Sequence, residues 1–328
     1  MLGITNPFKQ SDPERPSLDF REQVGDFRAA INNIDDWEDQ SFDWDKAFVA
    51  SVFAKMPYLR VPEIELKCAN RSNIIPCAEF REIIQTEEWP YSERRIRSFD
   101  VGEFFIVVTQ YAVAVVVEIG KVIFISLRGT LFLYDWLVNL NVSKSRPFTN
   151  EAVDVYFHKG FYHAAARCMR IISSELLRRY GSENTIYVTG HSLGGALAAI
   201  IHAIWSIDGV SRQQFGYKQW RGKSLETHAC YTFGMPRYGN FSAVEHLESP
   251  FHIYNEADIV PTVPPRLLGF YDSPMEYCLK SKGGVDNANV KGRSFSQFIF
   301  RLAALKGIKE HDIELYIMRT KAASDSSK

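Results

Sequence analysis

The chain has 328 residues, with 38 Lys+Arg against 39 Asp+Glu and a formal net charge of −1. At 46 % hydrophobic and 23 % charged residues it has the composition of a folded globular chain, which excludes a disordered or fibrous one. No basic excess exists to hold a phosphate backbone, so no nucleic-acid partner is expected.

The length admits two domains or one large α/β unit. Five cysteines, Cys68, Cys77, Cys168, Cys230 and Cys278, are scattered with no CxxC spacing. That argues against a zinc site, a redox pair or a disulfide framework; a Cys68–Cys77 bridge is the one pairing worth naming. The first ten residues, Met1 to Gln10, lack the apolar core of a secretory leader. The longest apolar tract, Tyr111 to Leu127, contains Glu118, Gly120 and Lys121 and reads as two strands rather than a membrane span. These features predict a chain with no transmembrane segment and a cytoplasmic location.

Residues 1–42 are polar and acid-rich, with Asp35, Asp36, Glu38 and Asp39 around Trp37. They read as an N-terminal extension, surface-packed or partly disordered, ahead of a single domain over 43–328. A helix is expected from about Asp43, carrying Ala47, Phe48, Ala50, Val52, Phe53 and Ala54 and ending at Pro57. A shorter helix is expected over 79–88. Three β-branched runs follow, at 104–108, 112–117 and 122–126, of the kind buried on both faces of a sheet. A long helix over 161–180, capped by Gly181, leads to a strand at 185–189 and a helix from Leu193 to about Trp205. Strands at 228–233 and 251–254 complete the pattern. Alternating strand and helix predicts an α/β protein with a largely parallel sheet. Asp208–Thr227 and Leu267–Arg293 read as loop excursions, either decorating the surface or lining a pocket.

The sharpest signal is Gly190-His191-Ser192-Leu193-Gly194, a G-x-S-x-G between a β-branched strand and an alanine-rich helix. That context is what a serine on a strained turn requires, with Gly190 and Gly194 letting strand and helix approach and the helix start aiming its N–H groups at the site. His191 neighbours the serine but points away from its Oγ. On such a scaffold the acid and then the histidine follow the serine along the chain. Asp258 sits just past a strand end, and His311 is the one histidine beyond it. Order therefore selects Ser192, Asp258 and His311, with Asp272 and Asp286 as competing acids. His311 would take the Ser192 proton and pass it to the leaving alcohol, while Asp258 orients it. The backbone N–H of Leu193 and Thr130, after the strand ending Ile125-Ser126-Leu127-Arg128-Gly129, are the oxyanion donors expected.

At these residues the sequence resembles the class 3 lipases, a fungal-lipase-like branch of the α/β-hydrolases. Leu127-Arg128-Gly129-Thr130 with Asp135-Trp136-Leu137-Val138-Asn139-Leu140 is similar to the family's RGT…DW segment. His158-Lys159-Gly160-Phe161 resembles its HxGF, and Gly190 to Ala198 its GHSLGGALA elbow. Thr232-Phe233-Gly234-Met235-Pro236-Arg237-Tyr238-Gly239-Asn240 resembles its TFGxPRxGN. Asp258-Ile259-Val260-Pro261 and His311 to Tyr316 complete the set, over about residues 45–320. The resemblance implies one α/β-hydrolase domain, a mostly parallel central sheet flanked by helices, and cofactor-free hydrolysis of lipid or other apolar acyl esters. It carries the nucleophile to Ser192, the acid to Asp258, the base to His311 and an oxyanion donor to Thr130. Leu127 stands where members often have Phe, and Phe270-Tyr271-Asp272 where they often have a His.

After Thr130, Phe132, Leu133, Trp136, Leu137 and Leu140 share one helical face. In the family this position is the lid; the same face also suits an ordinary helix packed on the core. A lid would imply transient contact with a lipid interface. Substrate alternatives stay open among triacylglycerol-type esters, phospholipids, galactolipids and aromatic esters. So does a binding module that has lost hydrolysis.

Overall fold

The structure, a computed structural model, describes residues 20–58, 73–76, 99–109, 111–128, 142–148, 150, 154–180, 184–207, 225–281, 283–287 and 309–328. Among these, helix α1 (Phe20–Asn33) is followed by α2 (Trp44–Lys55), whose N-terminus is capped by Asp43 accepting from the Lys46 N–H at 2.8 Å. Strand β1 (Asn73–Pro76) precedes the three β-branched runs, which form β2 (Phe104–Val108), β3 (Val113–Ile119) and β4 (Val122–Arg128). The helix expected over 79–88 and the Cys68–Cys77 pair lie outside the described residues.

These four strands pair antiparallel in sequence order, β3 turning into β4 at Gly120, where φ is 58°. A small pair, β5 (Lys144–Ser145) and β6 (Phe157–His158), stands apart from the main sheet. Helix α3 (Lys159–Arg179) then crosses to β7 (Thr185–His191), parallel to β4. Helix α4 (Leu193–Trp205) leads to β8 (Ala229–Phe233), and the short α5 (Phe241–Glu245) to β9 (Phe251–Asn255). β10 (Glu276–Leu279) adds in parallel, and β11 (Val285–Asn287) turns back antiparallel. The chain ends in α6 (Ile313–Ser326). The nine-stranded order is β1-β2-β3-β4-β7-β8-β9-β10-β11, with the five strands from β4 to β10 parallel and antiparallel strands at both flanks.

Alternation along each strand splits the core in two. Ala114, Val116, Ile125 and Val188 face α3, α4 and α5; Val115, Val117, Phe124 and Tyr187 face α1, α2 and α6. Every residue of α4 is buried, which fits a helix apolar on all sides. Phe27 of α1 is fully buried, edge-on to Phe53 at 5.4 Å and Phe99 at 4.7 Å. Trp37 lies edge-on to Phe124 and Tyr187. Residues 20–42 thus cover one sheet face.

The stretch read as an irregular loop from Leu267 contains β10 and β11. Four- and three-residue strands are too short to show a period of their own, and they are held by register against β9 and by the turn at Gly283 and Gly284, both with positive φ.

Candidate active site

Three chain segments meet at the carboxyl ends of β7, β8 and β9. The first is the elbow. Ser192 follows β7 directly and opens α4 with φ 58° and ψ −134°, a conformation that a non-glycine residue holds only when its surroundings enforce it. Its N–H donates to the Phe233 carbonyl at 2.9 Å, and its carbonyl accepts from Gly195 at 2.9 Å. Close approach explains the flanking glycines. A Cβ on Gly194 would overlap the Leu127 carbonyl of β4, and one on Gly190 would overlap the Gly194 backbone. Leu193 begins α4, so its N–H is one of the first-turn donors with no intrahelical acceptor.

The second segment carries the acid. Asp258 is 1 % exposed on the turn that follows β9, with its N–H on the Asn255 carbonyl at 2.9 Å. Its Oδ1 accepts from the Val260 N–H at 2.9 Å. Its Oδ2 bonds to His311 Nδ1 at 2.7 Å and accepts from the Tyr316 hydroxyl at 2.6 Å. Gly234, at the end of β8, makes room for this cluster. A Cβ there would lie 2.6 Å from Asp258 Oδ2, 2.7 Å from the Tyr316 oxygen and 3.0 Å from His311 Nδ1.

The third segment is the start of α6. His311 precedes the cap residue Asp312 and is 5 % exposed. With Nδ1 on Asp258, its Nε2 is buried and has no hydrogen-bond partner among the described residues. The His311 backbone is pinned from two sides: Asn255 Nδ2 donates to the Glu310 carbonyl at 2.7 Å, and His191 Nε2 to the His311 carbonyl at 2.8 Å.

His191, the residue before Ser192, has a task that sequence reasoning missed. A carbonyl can only accept, so His191 carries its proton on Nε2, and Nδ1 is left to accept from the buried Tyr58 hydroxyl at 3.2 Å. Burial, with the His311 imidazole 4.5 Å away ring to ring, holds His191 well below the ordinary histidine range. It is therefore neutral at physiological pH. Burial raises the Tyr58 phenol in the same way and pulls the Arg128 guanidinium beside it down to about 10. Arg128 Nη1 donates to the Pro57 carbonyl at 2.7 Å, which ties the end of β4 to the turn that carries Tyr58. Tyr316 was also missed as a functional group, although its place near His311 in sequence was noted.

The competing acids are otherwise engaged. Asp272 is buried between Arg237 Nε, at 2.7 Å, and Arg266. Asp286 is exposed and pairs with Lys280 at 2.7 Å. Among the other histidines, His158 caps α3, His202 bonds to Thr227 at 2.7 Å, and His252 to Glu276 at 3.0 Å. His228 accepts from the Ile186 N–H at 3.1 Å, and His163 and His246 are exposed. Cys168, Cys230 and Cys278 are buried. No group of three or more His, Cys, Asp or Glu is placed to hold a metal ion among the described residues. Thr130 and the lid candidates Phe132, Leu133, Trp136, Leu137 and Leu140 lie outside the described residues. β4 ends at Arg128 beside the elbow, with Leu127 in register with Gly190.

Residues 124–268 match the family model described as Lipase (class 3). The chain is 31 % identical over 165 residues to a lipase of Rhizomucor miehei, covering 48 % of this chain and 41 % of that one. It is 28 % identical over 165 residues to secreted mono- and diacylglycerol lipase 1 of Fusarium solani, covering 48 % and 44 %. The chain thus spans under half the length of these relatives. A crystal structure of a fungal lipase superposes with a TM-score of 0.50 at 15 % identity, covering 90 % of this chain and 98 % of that one, and shares its fold.

The cytoplasmic location expected from the sequence is overturned by these relatives, one of which is named as secreted. A leader is cleaved on export, so the lack of one in a sequence does not indicate a compartment. No described helix is long and apolar enough to cross a membrane. Residues 124–268, which hold the Ser192 elbow and Asp258, are similar to the class 3 lipases, and His311 of the segment before α6 joins them from outside the matched stretch.

Proposed function

We propose that the chain is a serine hydrolase that cleaves carboxylic esters of apolar acyl groups, acylglycerols foremost, through an acyl-enzyme on Ser192. The observation that carries this reading is the buried Asp258–His311 pair, with its open Nε2, lodged against the segments that hold Ser192. The relatives' names, lipase and mono- and diacylglycerol lipase, support the choice of substrate.

In the first step His311 Nε2 removes the Ser192 hydroxyl proton as Oγ adds to the ester carbonyl. Asp258 keeps the other proton on Nδ1 and stabilises the imidazolium that forms. Its Oδ2 also carries the Tyr316 hydrogen bond, so the carboxylate stays an acceptor facing the ring. The carbonyl oxygen gains negative charge and takes hydrogen bonds from the Leu193 N–H at the start of α4 and from Thr130; losing one such donor costs roughly 10²–10³-fold in turnover. Collapse of the intermediate expels the alcohol, protonated by His311. Water, activated by the same nitrogen, then releases the carboxylic acid and restores Ser192. The lid face at 132–140 would bring a lipid interface to the site.

The test is hydrolysis of p-nitrophenyl esters from short to long acyl chains by the wild type and by Ser192→Ala. Loss of the nucleophile should lower turnover by about a millionfold. Equal rates in the two proteins would sink the serine mechanism, and a short-chain optimum would move the substrate away from acylglycerols.

A further inference from the structure

Between the end of α2 and the elbow lies a chain of polar contacts that the hydrolytic steps above do not use. Met56–Tyr58 is a 3₁₀ turn continuing from α2, and Arg128 Nη1, at the end of β4, holds it by the Pro57 carbonyl at 2.7 Å. The turn sets the Tyr58 hydroxyl 3.2 Å from His191 Nδ1 and 3.3 Å from the His191 carbonyl. Across the same ring, His191 Nε2 lies 2.8 Å from the His311 carbonyl. The rings of Tyr58, His311 and Tyr316 surround His191 at 5.8, 4.5 and 5.7 Å.

A neutral imidazole has one proton for two nitrogens. Placed on Nε2, that proton makes every contact a donor–acceptor pair: Nε2–H donates to the His311 carbonyl, and the phenol shares its own proton between Nδ1 and the His191 carbonyl. Placed on Nδ1, it leaves a bare nitrogen facing carbonyl lone pairs, a repulsion that a buried site does not screen. A cationic His191 is disfavoured as well, for its charge would stand beside the ring that becomes an imidazolium when it takes the Ser192 proton. The ring is thus confined to one protonation state and, by Tyr58, to one orientation.

The confinement matters for His311. Asp258 grips that side chain at Nδ1, and a single contact leaves a ring free to pivot about it. The pivot stops when the backbone is fixed too, and two donors fix it: Asn255 on the Glu310 carbonyl and His191 on the His311 carbonyl. We infer, on the hydrolase reading, that His191 and Tyr58 are positioning residues for the base. His191 Nε2–H fixes the His311 backbone, Tyr58 holds the His191 ring, and together they set where His311 Nε2 stands. Through Pro57 and Arg128 the same contacts tie the base to β4, the strand that precedes Thr130 in sequence.

The test is kcat and KM on a soluble p-nitrophenyl ester, with kcat expressed per Ser192 titrated by a fluorophosphonate so that unfolded protein does not count. His191→Leu should lower kcat about a hundredfold, the cost of a misplaced group, and leave KM unchanged. His191→Gln keeps an N–H at the reach of Nε2 and should recover most of the loss; His191→Asn is too short and should not. Tyr58→Phe should lower kcat roughly fivefold in the parent and not at all in His191→Leu, where the ring it orients is gone. Equal kcat in His191→Leu and the parent overturns the proposal. So does His191→Gln doing no better than His191→Asn, or a Tyr58→Phe effect that is the same in both backgrounds. Nitrogen NMR of labelled histidines in the parent supplies a readout free of turnover. It should show His191 neutral with its proton on Nε2, and a proton on Nδ1 overturns the proposal. A failure of the hydrolase reading shows separately, as a parent inert toward soluble esters with that spectrum intact.

Discussion

Asp258 and Asp272 are both buried carboxylates with two side-chain partners, yet they belong to different kinds of structure. Asp272 lies between two guanidiniums, Arg237 and Arg266, and its charge is spent on holding loops together. Asp258 faces an imidazole and a phenol. Among the described residues no arginine or lysine pairs with it, so in the proposed mechanism its charge is available when His311 becomes cationic. If Asp258 is the acid, as proposed, burial and hydrogen bonding alone do not set it apart from Asp272. What matters is whether the partner can change its charge during a reaction.

The largest effect that separates the two acids is expected from Asp258→Asn. An amide at this position offers a donor where His311 Nδ1 needs an acceptor, favouring the wrong tautomer, and turnover should fall about 10⁴-fold. Kcat on a soluble p-nitrophenyl ester measures it, with thermal unfolding as the control for folding. A fall of less than tenfold would remove Asp258 from the acid's role. Asp272→Asn should invert the pattern. Breaking one side of a buried ion pair costs about 3–5 kcal/mol of stability, because Arg237 stays buried with its charge uncompensated. Urea unfolding should register that loss. Labelling of Ser192 by a fluorophosphonate in the folded protein should persist. Loss of labelling with unchanged stability would make Asp272 the catalytic acid instead.

The same contrast was partly legible in the chain itself. Ser192 could be read because a tight elbow demands small residues at Gly190 and Gly194, and the overlaps a Cβ would create there are the physical form of that demand. Chain order singled out Asp258 and His311, whose side chains lie 2.7 Å apart while their catalytic roles stay a proposal, and β2, β3, β4 and β7 followed from runs that only a two-sided buried strand tolerates. What stayed hidden depends on pairs far apart in sequence. Tyr316 reaches Asp258 across 58 positions and His191 reaches the His311 carbonyl across 120, and no local pattern announces either. Helix α1 was missed for another reason. Val24, Phe27 and Ile31 do recur at helical spacing, but among charges that made the segment read as an extension. Thr130 and the lid face lie outside the described residues.

The histidines sharpen the comparison through pH. His202 is buried and bonded to the Thr227 and Ser206 hydroxyls, and burial pulls it down to about 4 from 6.5. It is neutral in the folded chain, whereas the unfolded chain takes up its proton below about pH 6.5. The unfolded state therefore binds more protons between 6.5 and 4, and stability falls as pH falls through that window. The full shift corresponds to about 3 kcal/mol, of which about 2 kcal/mol is lost by pH 5. His191, also held down by burial, acts in the same direction. Urea unfolding at pH 7.5 and pH 5 should show the drop, and His202→Gln should flatten it. An unchanged slope in that variant would place the acid sensitivity elsewhere.

The smallest expected effect tests the acid's second partner. Tyr316→Phe leaves the ring buried and removes only the hydroxyl, which donates to Asp258 Oδ2 and accepts the Asn255 N–H at 3.1 Å. Hydrogen bonds to charged groups contribute about 1.5–3 kcal/mol, so kcat should fall on the order of tenfold. The pH dependence distinguishes a positioning role from a purely structural one. Without the phenol the carboxylate is a better acceptor for His311 Nδ1–H, and the imidazolium is favoured. The pH at which activity rises should then move upward, while KM for a soluble ester stays unchanged. A fall in kcat with no displacement of the profile would mean that Tyr316 merely fills space under the acid, like the other buried rings of that face. A displaced profile would make it the group that sets how strongly Asp258 holds the charged form of His311.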